Sequence, residues 1–343
     1  MKRDLSFFRR WEFVLLLLIA LEIAGFGLVN QSFFNVANLL YSTNDFAHIL
    51  LVAIPFTLVV ITGGIDVSVG STMGLSSIVF GILWKYGGLP IWEAFAAALI
   101  LGALAGLLNG LLVSYTDINP LVLTLGTMFL FQGLATGLAG GIGASGYNGI
   151  GGFPDGFTNL AYGALWGLPY AFIFAVLFAL GMTVFLGRSA LGRSHFLIGV
   201  NKNAALFSGV KVRRTTIAAF TLTGVGAALA GLFLTAYFTS SRSDLGKDAL
   251  MPILTAVVLG GTDINGGVGS IFGSFIAAIF LGYLKQGLMA LGITSDVSQV
   301  TLGIILIATI VSKQAVSVLS QRRLTRAAFR KIAKPQGPPG PAT

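Results

Sequence analysis

Cysteine is absent from the 343 residues, which excludes disulfide bridges and thiolate metal sites. Charge is scarce as well: Asp, Glu, Lys and Arg make up 10% of the chain against 55% hydrophobic residues, and there are two histidines. So little charge cannot clothe a soluble globule of this length, and a mean hydropathy of +0.88 points to an all-α, polytopic integral membrane protein.

At about 20 residues per crossing, the chain has room for roughly ten spans. Apolar runs fall at 12–29, 46–62, 67–84, 91–114, 119–140, 168–187, 215–238, 250–261, 269–291 and 298–318. The first follows basic residues as a signal peptide does, but it is long and lacks a small-x-small cleavage site, so it reads as a retained span. The eighth is short and fits a broken or partly unwound helix. Lys2, Arg3, Arg9 and Arg10 precede the first span; Arg188, Arg193, Lys202, Lys211, Arg213 and Arg214 lie between the sixth and seventh. With the basic residues of the C-terminal segment these account for 17 of the 21 Lys and Arg. An even number of spans puts the three groups on one side, and the positive-inside rule makes that side, with both termini, cytoplasmic. The net charge of +9 is then explained by topology and contact with anionic membrane lipid, with no nucleic acid needed. Residues 1–320 are expected to form one membrane domain, and 321–343 a basic, Pro- and Gly-rich disordered cytoplasmic tail.

Within the apolar chain one stretch occurs twice. Pro55 to Asp66 returns 197 positions later as Pro252 to Asp263, with the proline, one valine, the Gly63-Gly64 and Gly260-Gly261 pairs and the aspartate in register. In each copy an apolar run breaks at the glycines and restarts as a helix, and interrupted segments at matching positions in two halves mark transporters. The topology carries both copies in the same direction, so the repeat is parallel. Asp66 and Asp263 are read either as caps for the next helix or as proton or cation ligands. Small residues recur at Gly102, Gly106 and Gly110, and at Gly224, Gly226, Ala230 and Gly231, where they allow close helix packing. Gly126, Thr127, Gln132, Gly133 and Thr136 add a polar edge to the fifth span. Glu22 and Lys285 are ionisable residues within spans, where a charge at mid-helix costs about 2.5–3.5 kcal/mol on insertion scales; a contact between them is conceivable, but nothing in the sequence joins the first and ninth spans. The loop 188–214 is too polar to span. In it Asn203 is suited to cap a short helix through Phe207 that Gly209 ends, either an interfacial helix on lipid or a docking knob for a cytoplasmic partner.

Gly63-Gly64-Ile65-Asp66 with Gly70-Ser71, Asn109-Gly110, Pro120 with Thr124-Leu125-Gly126-Thr127, Gly192-Arg193, Ile198-Gly199, Asn201, Ala204-Ala205, Ser208-Gly209-Val210 and Val257 to Gly261 resemble, in order and over nearly the whole chain, the permease subunits of ribose-type ABC importers. Tyr147 to Pro154, Ser241 to Gly246 and Leu250-Met251-Pro252 resemble those that import autoinducer-2. The resemblance implies a bacterial inner-membrane permease, paired with a paralogous second permease, served by a periplasmic ligand-binding protein and driven by a cytoplasmic ABC ATPase. Coupling to that ATPase is implied for Asn201, Asn203, Ala204, Ala205, Ser208 and Gly209, although Val200, Phe196 and Lys202 depart from the commonest pattern. No Gly-x-x-x-x-Gly-Lys-Ser/Thr loop is present, so ATP hydrolysis belongs to another polypeptide; the chain is expected to be no enzyme and to hold no cofactor. For a small polyhydroxylated substrate the path is expected to offer Asp66, Asn109, Thr124, Thr127, Gln132 and the breaks at Gly63 and Gly260. The outer segments with Tyr147, Asn148, Asp155 and Arg242 to Asp248 are expected to meet the binding protein. Two rivals stay open: a permease for ribose or another monosaccharide, and an ion-coupled secondary transporter using Asp66, Asp263 and Glu22.

Overall fold

The computed structural model describes residues 5–116, 118–144 and 149–312, with side chains from Trp11 onward. Lys2, Arg3, Tyr147, Asn148 and the expected tail lie outside them.

In chain order the first helices are α1 (Leu5–Val29), α2 (Val36–Ser42), α3 (Ala47–Ile61), α4 (Val69–Lys85), α5 (Ile91–Tyr115), α6 (Pro120–Gly141) and α7 (Asp155–Tyr162). They are followed by α8 (Tyr170–Arg188), α9 (Ala190–Val200), α10 (Lys202–Phe207), α11 (Val212–Phe238), α12 (Leu250–Leu259), α13 (Ile271–Ala290) and α14 (Ser295–Ser312). Among the described residues eight apolar helical segments are long enough to cross a membrane, α2 and α3 counting as one, and α4 and α12 are shorter apolar helices. These ten segments fall at the ten expected runs, the last of which, 298–318, extends past the described residues. Strand β1 (Ile150–Gly151) pairs antiparallel with the distant β4 (Ser240–Ser241), while β2 (Ala164–Leu165) and β3 (Leu168–Pro169) form a hairpin.

The core is built on α11, which packs against α3, α4 and α5. The small residues read from sequence explain how. A Cβ at Gly106 of α5 would lie 2.3 Å from the Phe220 carbonyl oxygen, and Gly226 and Gly231 of α11 face Pro55 of α3 and the backbone at Met73 of α4. Backbones this close are possible only without side chains between them, and in hydrocarbon such packing replaces the hydrophobic drive between helices. The helix α3 is buried along nearly its whole length, whereas α1, α6 and α8 expose broad apolar faces. Both copies of the repeat are recognisable: α3, a break at 62–68 and α4; then α12, a break at 260–270 and α13. They pack on each other, with Thr57 Oγ1 donating to Ser274 Oγ at 2.9 Å.

Helices α9 and α10 occupy the end of the bundle where both breaks lie. The β2–β3 hairpin and α7 lie at the opposite end, where Phe153 stacks with Phe80 and Trp84 of α4 and Phe157 packs tilted against Phe80.

Candidate functional site

Helix α3 ends because Gly63 takes a left-handed φ of +80°, which L-residues with a Cβ avoid. Asp66 then folds the chain back: its Oδ1 accepts from the Ser68 N–H at 3.0 Å and the Ser68 hydroxyl at 2.6 Å. Asn109 of α5 donates to Ser68 Oγ at 2.8 Å and to Asp66 Oδ1 at 3.4 Å. Thr124 of α6 donates to the Ile65 carbonyl and accepts from the Val67 N–H, both at 3.1 Å. Thr127 lies one turn further on. Asp66, Asn109, Thr124 and Thr127 are thus brought together, but they are buried, bonded to their surroundings beneath the surface rather than set along an open channel.

In the second break Asp263 Oδ1 accepts from the backbone and side-chain N–H groups of Asn265 at 2.9 and 3.1 Å. Neither aspartate caps its following helix. The residue ahead of α4 is Ser68, and α13 is capped by Ser270, whose Oγ accepts from the Gly273 N–H at 3.0 Å. The expectation of caps fails because each aspartate closes a turn onto the residue two positions on, before its helix begins. Gly260, expected on the path, is instead buried against Gly273, where a Cβ would lie 2.4 Å from the Ser274 nitrogen. Helix α1 braces this break, with the Trp11 indole N–H donating to the Leu259 carbonyl at 2.7 Å and Ser270 Oγ to Glu12 Oε1 at 3.0 Å.

The two breaks are tied directly. Gly267 N–H of the second donates to the Ile61 carbonyl of the first at 2.8 Å. Gly199, at the end of α9, sits on that bond: a Cβ there would lie 1.9 Å from Ile61 O and 2.2 Å from Gly267 N. Behind Gly199 the loop is firm. Ala205 packs with Ile198 and Val212, and His195 Nδ1 bonds the Leu191 carbonyl at 2.7 Å; burial pushes the His195 imidazole below its usual range. The cap of α10 is Asn201, accepting from the Ala204 N–H at 2.9 Å, in place of the expected Asn203, which is exposed. Two asparagines two residues apart give the same cap signal, and the position where α9 ends decides between them. Gly209, at φ +79°, ends the turn as expected. Asn203, Ala204, Ser208 and Gly209 face outward, with Leu206 and the 90% exposed Phe207.

The outer segment expected at Arg242 to Asp248 proves to enter the bundle. After β4, residues 241–247 run down α4, with Ser241 against Gly81, the Ser243 carbonyl against Gly74 and the Gly246 carbonyl against Gly70. Gly81 and Gly70 are separated by about 16 Å of helix rise, so the segment enters the bundle without being helical. Arg242 and Asp244 pair through a forked bond, with Nε at 2.9 Å and Nη2 at 2.5 Å. Irregular, charged backbone at membrane depth is tolerated only where protein buries it or where it lines a water-filled cavity.

A cavity adjoins the segment. About 520 Å³ in volume, it is lined by Gly70 and Ser71 of α4, Gln132 and Thr136 of α6, and Ser243, Asp244 and Lys247 of the entering segment. Gln132 donates to the Ser243 carbonyl at 3.2 Å. On the α10 side of the first break lies a second cavity of about 800 Å³, lined by Thr62, Gly63 and Gly64, by Tyr115, and by Lys202 and Asn203 of α10. The Asp66 cluster stands between them. Glu22 takes no part in this site. Its helix packs on α13, but both its carboxylate oxygens are buried without a hydrogen-bond partner, and among the described residues it forms no ion pair with Lys285.

Residues 38–310 match the family model described as branched-chain amino acid transport system / permease component. The chain belongs to this permease family. It is 45% identical over 303 residues to the autoinducer 2 import system permease protein LsrD of Salmonella typhimurium (strain LT2), covering 88% of this chain and 91% of that one. It is 46% identical over 303 residues to the protein of the same description from Escherichia coli (strain K12), covering 88% and 92%. No solved structure matches it. The permease is a multi-pass protein of the inner membrane and a transport component, not an enzyme.

Proposed function

We propose that this permease imports autoinducer-2, as part of an ATP-driven importer fed by a periplasmic binding protein. The observation that carries the reading is the pair of cavities on either side of the first helix break and its Asp66 cluster, the break itself tied through Gly199 to the α9–α10 loop. With the termini and α10 in the cytoplasm, the 520 Å³ cavity faces outward and the 800 Å³ cavity inward. Ser71, Gln132, Thr136 and Ser243 offer hydroxyl, amide and carbonyl groups of the kind a small polyhydroxylated furanosyl compound needs, and the Asp66, Asn109, Thr124 and Thr127 cluster is the barrier it must pass. Gly63 opens onto the inward cavity.

Coupling runs through α10. Leu206 and Phe207 present an apolar knob to a cytoplasmic ABC ATPase, with Asn203, Ala204, Ser208 and Gly209 around it, while Asn201 and Ala205 hold the knob in place. Along α6, Gly126, Gly133, Gly137 and Gly141 have open space where a Cβ would sit, and Phe129, Leu130 and Leu134 are exposed. That face suits close approach by a paralogous second permease, which would close the outward cavity. The identity to the import permeases favours autoinducer-2 over ribose as cargo.

Uptake of labelled autoinducer-2 by cells expressing this permease with its encoded neighbours tests the reading. Excess unlabelled autoinducer-2 is expected to compete and ribose is not. Competition by ribose alone would reassign the substrate. Loss of uptake on collapsing the proton gradient with ATP intact would reassign the energy source to ions.

A further inference from the structure

A third cavity, of about 320 Å³, differs in chemistry from the two along the path. Its floor is Leu51 of α3 with Leu229 and Phe233 of α11, and its mouth is Leu165, Phe174 and Leu177. The Tyr170 hydroxyl is the one polar side-chain group among its lining residues. Phe174 and Leu177 are 45% and 62% exposed, on an α8 face that continues through the exposed Leu180 and Val184. The groove therefore opens sideways into hydrocarbon, where water gains nothing by filling an apolar space and acyl chains are the available occupant.

One end of the groove is marked. Leu165 belongs to the β2–β3 hairpin, whose turn holds Trp166 at a left-handed φ of 52° and 92% exposed. Positive φ is uncommon for a bulky residue, and here it belongs to an indole left almost wholly exposed, with Tyr162 and Tyr170 of the flanking helices exposed as well. Aromatic side chains with a polar tip collect at the level of lipid headgroups, so this end sits at the membrane surface away from α9 and α10. We propose that the groove holds one acyl chain of a phospholipid in that leaflet, with Trp166 and Tyr170 meeting its ester and headgroup region. Among the described residues no charged side chain lines the groove, so recognition is of the chain and not of headgroup charge. The bound chain packs on Leu51, four residues before Pro55 on the helix that leads into the first break.

The test uses the full-length permease reconstituted with a phospholipid that carries a photoreactive diazirine in its acyl chain. Irradiation is expected to label the peptides holding Leu51, Phe174, Leu177 or Leu229 severalfold above those from the exposed faces of α1 and α14; equal labelling overturns the proposal. Ala171→Trp, which fills the groove, is expected to abolish that excess and the most tightly held phospholipid seen by native mass spectrometry after delipidation. Val184→Trp, on the same helix outside the groove, keeps both. A folded Ala171→Trp protein that retains the excess label overturns the proposal, and the labelling of the unaltered chain decides the matter if that variant does not fold.

Discussion

The two helix breaks descend from one sequence pattern and are finished differently. In the first, Asp66 is 2% exposed and its bonds run to Ser68 and Asn109, with Thr124 holding the flanking backbone from a third helix. In the second, Asp263 is partly exposed and bonds only within its own turn, while α1 supplies the outside support through Trp11 and Glu12. Cavities adjoin the first break on both sides. Both copies keep a break at the Gly-Gly pair, but the left-handed residue is Gly63 in the first and Gly261, one register later, in the second; on the proposed function the first is a barrier inside a path and the second a fixed abutment against which it works. Gly199 touches both, against the Ile61 carbonyl of one and the Gly267 backbone of the other.

Substitutions should separate the two roles. Gly199→Val is expected to have the largest effect, abolishing uptake while the protein still inserts, because its Cβ alone would fall inside contact distance of two backbone groups from different breaks; uptake assays paired with quantified membrane yield check this. Next is Asp66→Ala. It leaves the Ser68 N–H and hydroxyl buried without their acceptor, at about 1–3 kcal/mol, and should lower the thermal midpoint in detergent and uptake together. Asp263→Ala, matched in sequence, is expected to cost under about 1 kcal/mol, since water can replace the lost bonds. Equal losses for the pair would erase the distinction between the breaks. Gln132→Leu should raise the KM for uptake roughly three- to tenfold, the worth of one hydrogen bond to cargo, with a small fall in thermal midpoint from the lost bond to the Ser243 carbonyl. Smallest is Trp11→Phe, which removes only the bond to Leu259 and should lower the thermal midpoint with little effect on KM.

Much of this architecture is legible in the sequence. Uninterrupted apolar runs mark the ten spans, the Gly-Gly-x-Asp repeat marks both breaks, and Gly102, Gly106 and Gly110 mark the seam with α11, because each signal is local. What escapes is set by distance. Arg242, Asp244 and Lys247 read as a solvated outer loop, since their charge reveals nothing of the glycines at 70, 74 and 81 that admit their backbone beside α4. The brace from Trp11 to Leu259 crosses 248 positions and has no local trace. Asp66 and Asp263 carry the same motif, and only the presence of Asn109 and Thr124 beside one of them separates a buried cluster from a surface turn.

The absence of native cysteine makes the central claim directly testable in the assembled importer. Gln132→Cys, on one side of the first break, and Thr62→Cys, on the other, would each be exposed to a membrane-impermeant thiol reagent applied from the periplasmic or the cytoplasmic face. The first break as barrier predicts that Gln132→Cys reacts only from the periplasm and Thr62→Cys only from the cytoplasm, with trapping of the ATPase changing both rates in opposite directions. Reaction of either site from both faces at once, or rates that ignore the ATPase, would contradict it.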